Sequence, residues 1–108
     1  MANIYKRLAA LRPANTNEAK LYGPTTGKSA IVNLVICNQG ATDVTYKAAI
    51  TATDTTAADA EWIAYNTNII SNVSYTVTGI CLIYPNTIRV VSGASNQVSF
   101  VVHGLEIS

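Results

Sequence analysis

The sequence predicts an all-β fold: a single antiparallel β-sandwich, jelly-roll-like, of seven or eight strands, with an N-terminal arm that is either extended or a short helix. Three observations predict it. From Ser29 onward apolar residues recur with a period of two, the spacing that sets one face of a strand on a core and the other in water. Turn signals interrupt these runs about every 8 to 12 residues, the rhythm of a sandwich or barrel rather than of strands alternating with helices. The polar surface comes mainly from 13 Thr, 10 Asn and 7 Ser, while only 12% of residues are charged, about half the usual share.

The 108 residues fit one domain and leave no room for a second. Fifteen of the apolar residues are Ala, so the core rests on 11 Ile, 10 Val, 6 Leu and eight aromatics. Two parts are expected: a basic N-terminal arm, 1–22, and a sandwich domain, 23–108. In the arm Ile4, Leu8 and Leu11 are spaced i, i+4 and i+7, which fits a short amphipathic helix before Pro13 as well as an extended segment. Ala14 to Ala19 reads as a polar loop, and an arm that buries little surface by itself is expected to dock on a neighbouring subunit or partner.

Within the sandwich, Ala30 to Cys37 is apolar on both faces, as in a central strand covered on both sides, and Asn38-Gln39-Gly40 stops it. Val44, Tyr46, Ala48, Ile50 and Ala52 alternate with Thr45, Lys47, Ala49, Thr51 and Thr53, giving the clearest amphipathic strand. Asp54 to Ala60 is small and polar and reads as a loop. Glu61 to Tyr65 and Asn68 to Ile70 read as two short strands. Val73, Tyr75 and Val77 open a further strand, in which Gly79 marks a bulge before Ile80 to Ile83. After the Tyr84-Pro85-Asn86 turn comes Thr87 to Val91, then a Gly93 to Asn96 turn. In the final strand, Val98 to Ile107, the apolar face shifts near Gly104, which predicts a second bulge.

The net charge of +1 excludes the strongly basic balance of a nucleic-acid binder. Its distribution is uneven. Five cations and one carboxylate give +4 over the first 28 residues, and two cations and five carboxylates give −3 over the rest. No apolar stretch reaches the length of a membrane span, and Met1 to Arg12 lacks the apolar core of a secretory signal. Synthesis in a reducing cytoplasm is therefore expected. Cys37 and Cys81, both in apolar runs, read as buried structural thiols rather than a disulfide.

The motifs that could carry chemistry fail on spacing. Gly23-Pro24-Thr25-Thr26-Gly27-Lys28-Ser29 imitates a phosphate-binding loop but has three residues between its glycines where four are needed, and a strand follows where a helix should. It reads as a turn. The lone His103 has no nucleophile and orienting partner at hand. Cys37, Cys81 and His103 lie in separate strands without the paired spacing of a zinc site. The six carboxylates fall at loops or strand ends and read as solvated. Trp62 and Tyr65, with Tyr84 as a third candidate, could stack a sugar ring, although a core or subunit-interface Trp explains the same residues. No catalytic residue, cofactor, metal or small-molecule substrate is expected.

Ile4-Tyr5-Lys6-Arg7-Leu8, Arg12-Pro13-Ala14, Leu21-Tyr22, Ala30-Ile31-Val32 and Val35-Ile36-Cys37-Asn38, with the ending Val98-Ser99-Phe100 through Gly104-Leu105-Glu106-Ile107, resemble the small β-sandwich virion proteins of tailed bacteriophages, those of cyanobacterial phages in particular. The resemblance spans most of the chain and rests on framework patterns rather than functional motifs. It implies a non-enzymatic structural protein of the virion. The leading expectation is a capsid decoration, or cement, protein on the head exterior, made in the bacterial cytoplasm. It would clamp major capsid protein subunits as a homotrimer, with no nucleic acid or membrane partner. The expected contact residues are Tyr5, Lys6, Arg7, Leu8 and Arg12. A tail, baseplate or fibre-attachment protein is the alternative within the virion, and a carbohydrate-binding module is the alternative from another class.

Overall fold

The computed structural model describes residues 5–107. Eight strands follow one another: β1 (Tyr5–Leu11), β2 (Ala19–Tyr22), β3 (Ser29–Asn38), β4 (Val44–Thr51), β5 (Trp62–Ile69), β6 (Ser74–Ile83), β7 (Thr87–Ser92) and β8 (Val98–Ile107), with one 3-10 turn at Asp59–Glu61 before β5. They form two four-stranded antiparallel sheets, ordered β1-β8-β3-β6 and β2-β7-β4-β5. The pairs β1–β8, β2–β7, β3–β6 and β4–β5 are those of one long hairpin turning between β4 and β5. Rolling that hairpin up adds the β3–β8 and β4–β7 pairings. This is the jelly roll, the predicted class.

Between the sheets lie Val32, Leu34 and Ile36 of β3, Tyr46 and Ala48 of β4, Ile69 of β5, Leu82 of β6, Ile88 and Val90 of β7, and Val98, Phe100 and Val102 of β8, all buried. Burial of each large member contributes about 1.5–3 kcal/mol. Phe100 meets Tyr46 edge-on at 6.3 Å between ring centroids, a contact that ties the two sheets together at mid-core.

The strand ends are held by polar side chains. Asn38, fully buried, donates from Nδ2 to the Thr42 and Ile69 carbonyls and accepts at Oδ1 from Gly40 N–H and Gln97 Nε2. All the hydrogen-bonding capacity of one buried amide is thus spent on joining three loops. At the other end the segment 52–61 is closed by Glu61, whose carboxylate accepts from Ala52 N–H at 2.7 Å and Ala58 N–H at 2.8 Å. Asp54 reaches from it to Lys20 of β2 and Arg89 of β7, at 2.9 and 2.8 Å.

Several sequence expectations need correction. The arm of residues 1–22 is not a separate element: where it is described it forms β1 and β2, one edge strand in each sheet. No helix forms there; Leu8 and Leu11 lie in β1, and Ile4 falls outside the described residues. The register of β1 on β8 slips between Arg7 and Ala9, so Leu8 sits in a bulge. The two short strands expected at 61–65 and 68–70 are one strand, β5, which starts at Trp62, after Glu61 closes the 3-10 turn, and is bulged at the left-handed Asn66 (φ 49°). β3 is covered on one face only: Ile31 remains 48% exposed, because β-branched residues favour strands whether or not a second layer covers them. Cys37 is half-buried and Cys81 exposed, both as free thiols. The bulge expected at Gly79 is present, with Thr78 and Gly79 together opposing Asn33 and Gly79 at φ 71°. The one expected at Gly104 is absent. β8 runs in unbroken register along β3 from Val98 to Ile107, Gly104 faces inward, and Leu105 continues the outer face.

Candidate interaction surfaces

The five residues expected to make a partner contact do not share one face. Tyr5 and Arg7 pair with Leu105 and His103 and stand on the outer face of the β1-β8-β3-β6 sheet; Lys6 pairs with inward-facing Gly104 and therefore points to the opposite side of β1, where it is still exposed. Leu8 is half-buried, packed against the core cluster. Arg12 lies just beyond β1, exposed, with Nη1 donating to Gln39 Oε1 at 3.3 Å. Beside it is an open depression of ≈ 320 Å³ with Ala10, Leu11, Phe100 and Val101 on its walls and Arg12 and Gln39 at its polar side.

Tyr5 has a structural role that its sequence position does not reveal. Its hydroxyl accepts from Asn33 Nδ2 at 3.2 Å and is hydrogen-bonded to His103 Nδ1 at 2.6 Å, a bond whose direction follows the tautomer of the imidazole. Asn33 Oδ1 in turn accepts from Gly79 N–H. One polar row thus crosses all four strands, from β1 through β8 and β3 to the β6 bulge. The rows on either side of it on this outer face are mainly apolar: Leu105, Ile31 and Cys81 on one side, and Ala10, Val101 and Val35, ending on Thr76 of β6, on the other.

The second surface lies on β5. Trp62 and Tyr65 meet edge-on at 5.7 Å and 69°, and with Asp59 they line an open depression of ≈ 420 Å³. Lys47 of β4 places Nζ 4.5 Å from the Tyr65 ring centre and 5.5 Å from that of Trp62, near enough for cation–π attraction. Alternation along β4 marks Lys47 as outward-facing, but only the β5 bulge brings Tyr65 beneath it. Tyr84 is exposed yet does not line this depression.

Charge is locally compensated elsewhere. Asp54 is held below the usual carboxylate range by its hydrogen bond to Lys20, with Arg89 adding to the effect. Glu61 is lowered by the N–H groups of Ala58 and Ala52. Tyr22, pushed well above the ordinary phenol range by burial and then by Glu106, donates its hydroxyl to that carboxylate at 2.7 Å. Lys28 stands 3.9 Å from the same carboxylate, so Glu106 at the end of β8 is not the freely solvated group its position implies. The Gly23–Ser29 segment is a turn, closed by Lys28 N–H on the Thr25 carbonyl, and leads into β3. Among the described residues no group of three or more His, Cys, Asp or Glu side chains is placed to hold a metal ion, and no helix is long and apolar enough to cross a membrane. A scan against protein-family models and a search of curated proteins each return no match.

Proposed function

We propose that the chain is a non-enzymatic virion protein of a tailed bacteriophage that decorates the outside of the head, bridging major capsid protein subunits as a homo-oligomer, with a trimer at local three-fold positions as the leading arrangement. The observation that carries this reading is the basic edge of the sandwich: Lys6 and Arg7 exposed on β1 and Arg12 just past its end, none of them among the ion pairs formed between described residues. Exposed cations along one edge suit an acidic protein surface. Oligomerisation then multiplies a weak contact, because each further contact is intramolecular once the first has formed. Jelly rolls serve as capsid domains and as lectins, so the fold is compatible with this function without specifying it.

The test is charge reversal of Lys6, Arg7 and Arg12 to Glu. All three side chains are exposed, so circular dichroism and the melting temperature should hold while binding to phage heads is lost. Unchanged binding removes the basic edge from the mechanism.

The aromatic depression favours a second reading, a carbohydrate-binding module. Trp62 and Tyr65 offer two ring surfaces set at an angle, and Asp59 offers a hydroxyl-accepting carboxylate beside them. Binding on a glycan array that disappears in Trp62→Ala would support it. An array without any binding glycan would dismiss it.

A further inference from the structure

The two sides of the sandwich treat their open strand edges in opposite ways. An open edge presents unpaired N–H and C=O groups to any other strand, and monomeric proteins blunt it with short strands, charges or bulges. The β1/β2 side follows that rule: β2 has four residues and carries Lys20, and β1 carries Lys6 and Arg7 and is bulged at Leu8. The β5/β6 side shares the bulges, at Asn66 in β5 and at Gly79 in β6, but carries no charge on either edge strand. From Trp62 to Ile88 the chain contains no Asp, Glu, Lys, Arg or His, and that span holds both β5 and β6. At ten residues β6 is the longest of the four edge strands, and it has neither a charge nor a proline. Its one irregularity is the Gly79 bulge.

Exposed apolar side chains gather on the same side. Of the seven large hydrophobic residues that are exposed among the described residues, Ile63, Tyr65, Ile70, Ile83 and Tyr84 lie in or next to β5 and β6, and Ile31 stands beside Cys81 of β6 on the outer face. Ile83 is the most exposed of all, at 67%.

We infer that the β6 edge, with Ile31, Cys81 and Ile83 flanking it, is the surface through which copies of this chain associate. The occupant follows from the charge pattern. A closed symmetric assembly turns the same side of every copy towards its axis, bringing like residues together, so a charged side repels itself and an uncharged one does not. The β1/β2 side, with Lys6, Arg7 and Lys20, would meet its own cations. The β6 edge meets none. A charged partner would gain no complementarity from this edge, whereas a second copy supplies both an unpaired strand and a matching apolar flank. The inference concerns self-association alone and stands whether or not the protein sits on a phage head.

Sedimentation equilibrium of the full chain tests it. The wild type should show a mass that is a multiple of 11.5 kDa. Thr76→Lys combined with Ile83→Lys, both at exposed positions of β6, should weaken association at least tenfold without changing circular dichroism, and Arg7→Glu on the opposite edge should leave the mass unchanged. A wild type that stays a single chain up to its solubility limit overturns the inference, as does an assembly that survives the double variant or dissociates with Arg7→Glu. A measurement that needs no variant guards against misfolding: alkylation of exposed Cys81 in the wild type should slow as protein concentration rises. A rate independent of concentration would equally contradict the inference.

Discussion

Replacing Gly104 with Ala should destabilise the protein through a backbone clash rather than through lost flexibility. Gly104 faces inward in the unbroken β8–β3 ladder, opposite Val32, and its φ lies outside the left-handed region. A Cβ there would fall inside contact distance of the Ile31 carbonyl oxygen and 2.7 Å from the Val32 Cα. Ordinary carbon–carbon contacts lie near ~3.5–4.0 Å, so β8 would have to move by about 1 Å away from a strand to which it is hydrogen-bonded. Overpacking of this kind costs about 1–3 kcal/mol. A strained or broken ladder bond adds about 0.5–1.5 kcal/mol, and the stiffer unfolded chain returns about 0.4–1 kcal/mol. The net loss is roughly 2 kcal/mol from a total on the order of 5–15 kcal/mol. For a chain of this size that lowers the melting temperature by about 8–10 °C. Gly27→Ala is the control: Gly27 has φ 80° and nothing within 4 Å of an added Cβ, so it carries only the left-handed cost of about 1–2 kcal/mol, partly offset by unfolded-state entropy. Thermal melts followed by circular dichroism compare the two. A Gly104→Ala melting temperature within about 2 °C of wild type, or a smaller drop than that of Gly27→Ala, would refute the close approach of β8 to β3.

Three further outcomes are expected. Asn38→Ala leaves the N–H of Gly40 and the carbonyl of Ile69 without their buried partner, while the Thr42 carbonyl keeps its bond from Gln97 Nε2, a change that should cost about 2–3 kcal/mol in chemical denaturation; a loss under about 1 kcal/mol would mean that water replaces the amide freely. Asp54 and Glu61 have lowered carboxyl pKa values in the fold, so their contribution is complete above the ordinary carboxylate range and lost as pH falls through the lowered folded values. The fluorescence of Trp62, the only tryptophan and the residue next to Glu61, should report segment 52–61 loosening in acid, with Asp54→Asn shifting the midpoint to higher pH; a midpoint unmoved by that change would show that Asp54 does not hold the segment. Finally, Cys81 on β6 opposes Ile31, six residues from Cys37 along extended β3, a separation of roughly 20 Å. Oxidation should therefore produce no intramolecular disulfide, and a mass spectrum showing one would contradict the β3–β6 register.

Strand periodicity made β3, β4, β6, β7 and β8 legible because half-buried strands write their facing into alternate residues, as Val44, Tyr46 and Ala48 do. β1 misleads for a physical reason. Its bulge carries Leu8 inward out of turn, alongside Ala9 and Leu11, and the Leu8–Leu11 pair thus imitates the i, i+3 spacing of a helix. β2 is only four residues long, too short to show a period. The apolar outer residues of β3 read as covered because sequence records side-chain character and not whether a second layer exists. The same limit hid the exposure of Cys81. Leu105 and Ile107 looked like a shifted core face, and the glycine before them looked like a bulge, although Gly104 is required by the approach of β3. Of the expected contact residues, Lys6, Arg7 and Arg12 were legible as exposed cations. The bond from Tyr5 to His103 and the stacking of Lys47 over Tyr65 span strands far apart in sequence, and a single sequence carries no signal for them.

Decoration of the phage head is tested most directly by bound copy number. Purified protein is incubated with phage heads that lack it and, separately, with isolated tails, and the bound protein is counted by quantitative gel after sedimentation. The account predicts saturable binding to heads at many copies per particle, as repeated capsid positions require, and none to tails. Binding confined to tails at a handful of copies would contradict head decoration and place the same sandwich in a tail, baseplate or fibre-attachment role.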